Sequence, residues 1–188
     1  MIDTLNARLD SFKKTIQTRD FLEGKGLSNE VNIRIFCYDP SDEMKVRYYV
    51  EQLLKDDSLK CNLIIRNLYD AFLDICENKR LLDKISAKEE QRGSEKLLSS
   101  LKGARKVQNF VEQIQFEPQE TGDVLLLTGV GEVYPFLRLH TLLEALQPAI
   151  PKIPIVVMYP GSFDGHQLTL FNKLQPNDYY RATFKFSP

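Results

Sequence analysis

The chain contains no tryptophan and just two histidines, His140 and His166. It is therefore short of the side chain that most often moves protons near neutral pH. Its three cysteines, Cys37, Cys61 and Cys76, are scattered and odd in number. With no CxxC pair, neither a zinc site nor a disulfide framework is indicated, and small buried thiols in a reducing compartment are the simpler reading. No apolar run approaches the roughly 20 residues that span a bilayer. The N-terminus lacks the apolar block of a signal peptide. A cytoplasmic location without membrane contact is expected. Neither charge sign dominates: 25 Lys and Arg face 26 Asp and Glu, a net charge of −1. No overall field draws the chain to nucleic acid, so only a local patch could do so. The phosphate-binding pattern GxxxxGK(S/T) and the nucleophile elbow GxSxG are both missing.

What is present is an ordinary globular composition, 43% apolar and 27% charged over 188 residues. That is enough for one domain with a sizeable core, and residues 1–188 read as a single α/β domain. The stretch Asp123–His140 organises it. Val124–Leu127 is wholly apolar, as in a strand buried on both faces. Gly129 and Gly131 then permit a tight turn. Pro135 suits the first turn of a helix, and Phe136, Leu139, Leu143 and Leu146 recur behind it on one face. Leu137 falls opposite that stripe, pointing outward.

Residues 1–22 hold an N-terminal helix, with Ile2, Leu5, Leu9, Phe12 and Ile16 forming a narrow seam. The seam either packs on its own domain or meets a partner. Val31–Tyr38 reads as the first strand. Asp39 and Pro40 begin a helix whose inner stripe is Val46, Tyr49, Val50, Leu53 and Leu54. Cys61–Arg66 is the second strand, and the 31–66 unit is a βαβ candidate. Residues 67–121 read as a helical insertion. Across Glu77–Lys106, nine Lys and Arg stand against five Asp and Glu. A DNA-contacting patch at Lys102, Arg105 and Lys106 is one reading, and a solvated helical face is the other. No aromatic residue interleaves those bases to stack on single strands. Ile153–Tyr159 is a fourth strand, Leu168–Leu174 a short helix, and Tyr179–Phe186 a half-exposed fifth strand. The expectation is a mainly parallel five-stranded sheet flanked by helices, with the helical insertion between strands two and three.

In such sheets ligands bind beyond the carboxyl ends of the strands. Those ends carry Asp39, Asn67, Thr128, Gly129, Gly131, Glu132 and Asp164. A strand order of 2-1-3-4-5 would set Asp39 against the Gly129–Glu132 turn. Glu132 would repel a phosphate there, and GVGE matches GxGxxG poorly, so a nucleotide site is disfavoured. On a helix from Phe136, Arg138 and His140 flank the leucine stripe on opposite sides and do not converge. His140 is expected to bond a carbonyl or carboxylate at the core margin. Arg138 is expected to tie down a loop through Glu132 or Asp164. His166 is expected to face solvent. The spacing of Glu132, Asp164 and His166 is not diagnostic of a metal. No catalytic residue, metal or cofactor is indicated. A small-ligand site made of Glu132, Arg138, His140 and Asp164 remains the alternative.

The block LTGVGEVYPFLR-x-H at 127–140 resembles the BrxB family of bacterial BREX phage-defence systems. Further blocks follow in the same order. They are GLSNE at 26–30, LQP at 146–148, YPG-x-FDG at 159–165 and YYRA at 179–182. The likeness covers essentially the whole chain; it departs at Ser28, where glycine is usual, and at Asp178, where asparagine tends to stand. The resemblance implies a small subunit acting through protein contacts beside a PglZ-type phosphatase-like protein, an AAA+ ATPase and an adenine-specific DNA methyltransferase. It implies no reaction and no cofactor.

Overall fold

The computed structural model describes residues 4–24, 32–165 and 167–174. Helices α1 (Leu5–Thr15) and α2 (Arg19–Leu22) precede strand β1 (Ile33–Tyr38). Helix α3 (Glu43–Leu54) leads to strand β2 (Asn62–Asn67). Four helices follow, α4 (Leu68–Asn78), α5 (Ile85–Arg92), α6 (Ser94–Ser100) and α7 (Val107–Ile114). Strand β3 (Asp123–Thr128) then runs into the one-turn helix α8 (Val130–Val133) and into α9 (Leu139–Leu146). Strand β4 (Ile155–Phe163) and the short β5 (Leu168–Leu170) complete the described elements. The sheet is an α/β sheet dominated by parallel pairs, with the expected helical insertion between β2 and β3.

The strands lie in the order β1-β4-β3-β2, with β5 antiparallel to the end of β4. This corrects the 2-1-3-4-5 expectation. Strands β1 and β2 are parallel members of one sheet but stand at its opposite sides, with β4 and β3 between them. The 31–66 segment is therefore no adjacent βαβ pair. The reason lies in apolar content: Val124–Leu127 and Ile155–Val157 are buried on both faces and take the centre. The half-exposed β2 is left outside them.

Alternation along the strands splits the core into two layers. Phe36, Val124, Leu126, Val156 and Met158 face α1, α2 and α3. Ile35, Leu125, Leu127, Ile155 and Val157 face α4, α7 and α9. The N-terminal seam is consumed in the first layer: Leu9, Phe12 and Ile16 are buried, with Phe12 5.7 Å from Phe36 ring to ring. It packs on its own domain. Ile2 lies outside the described residues. The helix is also shorter than expected, because the Thr18 side chain caps a separate α2 by accepting from the Phe21 amide.

Four local expectations give way. Leu54, expected on the inner stripe of α3, is 59% exposed at the end of that helix. Leu168–Leu170 forms a strand, since Gly161–Phe163 extends β4 past the expected turn and offers it a partner edge. No helix starts at Pro135. Tyr134 is extended, as a residue before proline prefers, which stops α8, and α9 begins after Arg138. Leu137 is buried rather than outward. The expected strand Tyr179–Phe186 and the GLSNE block at 26–30 lie outside the described residues.

Candidate functional site

The carboxyl ends of the parallel strands carry the polar groups expected there, but most are bonded to one another. At the end of β1, the Tyr38 hydroxyl donates to Glu43 Oε2 (2.6 Å). Burial, and then that bond, push the Tyr38 phenol well above its ordinary range. Arg47 Nε donates to Glu43 Oε1 (2.8 Å), while Arg47 Nη2 lies 2.9 Å from Glu132 Oε1. The Glu43–Arg47 spacing is the helical i,i+4 pair. Glu132 is thereby neutralised from α3, across the β4 position. Asp39 does not meet the Gly129–Glu132 turn, because β4 separates β1 from β3. It accepts instead from the Ser41 amide (2.9 Å) and hydroxyl (2.6 Å), which hold its carboxyl below the usual range.

The glycines of the TGVGE turn are explained by packing. Gly129 has φ +73°, and a Cβ there would sit 2.2 Å from Asn67 Oδ1. That oxygen caps α4 by accepting from the Tyr69 (2.8 Å) and Asp70 (3.3 Å) amides. Thr128 pairs in register with Asn67, so the end of β3 and the start of α4 are locked together. A Cβ on Gly131 would come within 2.8 Å of the Phe171 ring. Glycine is thus required to bring chains together, with no phosphate invoked.

Arg138 and His140 converge, against the sequence expectation. They line one cavity of about 70 Å³ with Val130, Tyr134, Tyr159 and leucines of β5. The reason is that residue 138 is extended and precedes the helix, so the two side chains are not splayed by helical geometry. The Arg138 guanidinium stands 5.8 Å from the centre of the Tyr134 ring, a cation–π distance. Arg138 anchors no loop through Glu132, which Arg47 occupies. Among the described residues His140 makes no side-chain hydrogen bond, so the expected carbonyl acceptor is not found there. Asp164 accepts from the Gln167 amide (2.8 Å) and does not line the cavity.

The family model described as BREX protein BrxB matches residues 64–185. The chain belongs to the BrxB family. It is 38% identical over 186 residues to the BREX protein BrxB of Bacillus cereus (strain H3081.97), covering 95% of each chain. It is 29% identical over 193 residues to the BREX protein BrxB of Escherichia coli O9:H4 (strain HS), covering 100% of this chain and 94% of that one. No solved structure matches it. As a BrxB-family member the chain has a role in BREX phage defence, with other BREX proteins as its partners. The matched stretch carries Asn67, the TGVGE turn and the cavity, whereas Asp39 and Arg47 precede it.

Within this BrxB-family chain the basic patch is reorganised. Lys102 and Lys106 are exposed, but Arg105 is half-buried and turned back on the protein. It donates to the carbonyls of Phe136 (3.3 Å), Pro135 (3.4 Å) and Leu98 (3.4 Å). Arg105 is the loop anchor that Arg138 was expected to be, and the candidate DNA patch loses its middle member. Sequence reasoning missed Asn67 as a cap, Arg47 as the partner of Glu132, and Arg105 as an anchor. The 43–47 spacing signals the Glu43–Arg47 pair but not Glu132; nothing local to residue 105 indicates a bond to residues 30 positions away. Among the described residues no group of three His, Cys, Asp or Glu side chains is placed to hold a metal ion, and His166 lies outside them. No described helix is long and apolar enough to cross a membrane.

Proposed function

We propose that the chain is a non-catalytic structural subunit of a BREX complex, acting in the cytoplasm through protein contacts, most directly with a PglZ-type protein. The observation that supports this most is the engagement of the crest. Glu132 is neutralised by Arg47, Asp39 is held by Ser41, and Asn67 is committed to a helix cap beside Gly129. Groups that hold one another in this way shape a surface and are not poised for turnover. On the outer face, Met44 (72% exposed) and Tyr48 (64% exposed) stand one turn apart on α3, apolar area of the kind that contacts use.

A small-ligand role is the second reading, favoured by the convergence of Arg138 and His140 on one cavity. A Glu132→Ala substitution discriminates. If the crest is structural, the variant folds, co-purifies with its BREX partners and still protects cells from phage. A variant that joins the complex intact yet loses protection would move the function to crest chemistry and reject the structural reading.

A further inference from the structure

The cavity at the end of the sheet has a composition that the structural bonds of the crest do not account for. Val130 and Tyr159 are buried and form its floor, Leu168 and Leu170 wall it, and the exposed Arg138 stands at its mouth beside His140. At about 70 Å³ it is roughly half the size of an engineered ~150 Å³ apolar cavity that takes up benzene. That admits one aliphatic side chain and is too small to enclose a nucleotide. Among the described residues no carboxylate lines it, so the positive charge at the mouth is not balanced from within the site.

We propose that this cavity anchors a partner BREX protein through a single leucine- or isoleucine-sized side chain, with an aspartate or glutamate next to it in the partner held by Arg138. The inference rests on the protein-contact reading above and adds the partner's chemistry. An apolar slot with a cationic edge complements an acid-flanked aliphatic residue on two counts. Burial of the aliphatic group supplies the anchor, as at the central pockets of other interfaces. The ion pair at the rim sets register and makes association salt-dependent. The cavity wall is completed by β5, so the hairpin that replaced the expected helix is what builds the slot.

The test uses the full-length tagged chain expressed with all the other proteins of its BREX system. Arg138→Glu reverses an exposed charge without disturbing the core, and Leu170→Trp fills the slot. Each is expected to lower the partner retained by about tenfold or more, the equivalent of about 1.4 kcal/mol, with melting temperature within a few degrees of the parent. Raising salt is expected to weaken the parent complex more than the Arg138→Glu one. An array of overlapping peptides from the other BREX proteins, probed with the purified chain, is expected to light up where Leu or Ile adjoins Asp or Glu. Binding is expected to vanish when that acid is changed to its amide. Full retention of the partner by both variants would overturn the proposal. So would a change in self-association as their sole effect, which would give the slot to a second copy. So would a loss of melting temperature on Leu170→Trp with retention intact, which would mean that the chain fills the slot itself. If the parent chain retains no BREX protein at all, the protein-contact reading fails first and takes the proposal with it.

Discussion

Gly129 sits where the left-handed backbone and a neighbour's oxygen both forbid a side chain. An alanine there would carry the cost of a positive φ, about 1–2 kcal/mol, and would push Asn67 off the start of α4, about 1 kcal/mol more. Gly129→Ala is therefore expected to lower unfolding free energy by about 2–3 kcal/mol in a denaturant titration. Gly131→Ala should cost less, because its backbone carries no positive φ and its tightest contact, at 2.8 Å, is the Phe171 ring, which can move, with Pro160 Cγ at 3.1 Å. Equal penalties at the two sites would show that the packing account of the turn is wrong. Arg105 offers a second test at this scale. Its guanidinium satisfies carbonyls of the 135–136 turn, so Arg105→Leu is expected to destabilise by about 1–2 kcal/mol, half-exposure having discounted the full value. Lys102→Leu and Lys106→Leu, at exposed positions, should leave the melting temperature within a degree or two. If duplex DNA binds the chain at low salt and all three substitutions weaken it equally, Arg105 is a DNA contact instead.

Helix α1 shows how an element can be recognised correctly and its role still be left open. The apolar spacing identified a narrow stripe, and a stripe of that width suits either a partner helix or the protein's own core. The fold spends it internally: Phe12 is fully buried against Phe36, and the Tyr49 hydroxyl of α3 donates to the Leu9 carbonyl (2.8 Å). Phe12→Ala is accordingly expected to cost about 3–5 kcal/mol of stability. Removal of residues 1–22 should expose the Phe36, Val156 and Met158 face and yield an aggregating or unfolded chain, visible by circular dichroism and light scattering. A truncated chain that stays monomeric with native stability would show that the layer is dispensable. The β4–β5 hairpin teaches the converse. Leu168–Leu170 is too short to signal strand over helix by its own pattern; the edge at Gly161–Phe163 decides it.

At the scale of the whole molecule, three tyrosines on both sides of the sheet titrate above their ordinary range. Burial raises Tyr38 and Tyr159, and raises Tyr49 to about 12. A phenol whose folded value lies above the unfolded value near 10 contributes stability that is complete below pH 10. That contribution is lost as pH climbs through the folded value. The tyrosines' share of stability should thus stay flat up to about pH 10 and then fall, following an earlier loss from the Cys61 and Cys76 thiols, which burial also raises. Tyr49→Phe should flatten part of that fall while costing roughly 1 kcal/mol at neutral pH for the bond to Leu9. Chemical denaturation at a series of alkaline pH values would reveal it, and an unchanged slope in the variant would exclude Tyr49 as a contributor.

Taken across these scales, the residues alone determined which apolar segments are strands, where the glycine turn falls, and that helices are inserted between β2 and β3. Each of those rests on local period and local backbone preference, which the chain carries in contiguous residues. The neighbour order of the strands was decided by competition among apolar faces for the middle of the sheet, a comparison between distant segments. The partners of Glu132 and of the 135–136 turn were decided by which cation the fold delivers within reach, Arg47 and Arg105 in place of Arg138. The meeting of Arg138 and His140 required the chain to leave helical geometry at residue 138, which depends on how α8 ends and on β5 closing over it. Contacts of that kind join residues far apart in the chain, and their energies exist only once the layers have packed.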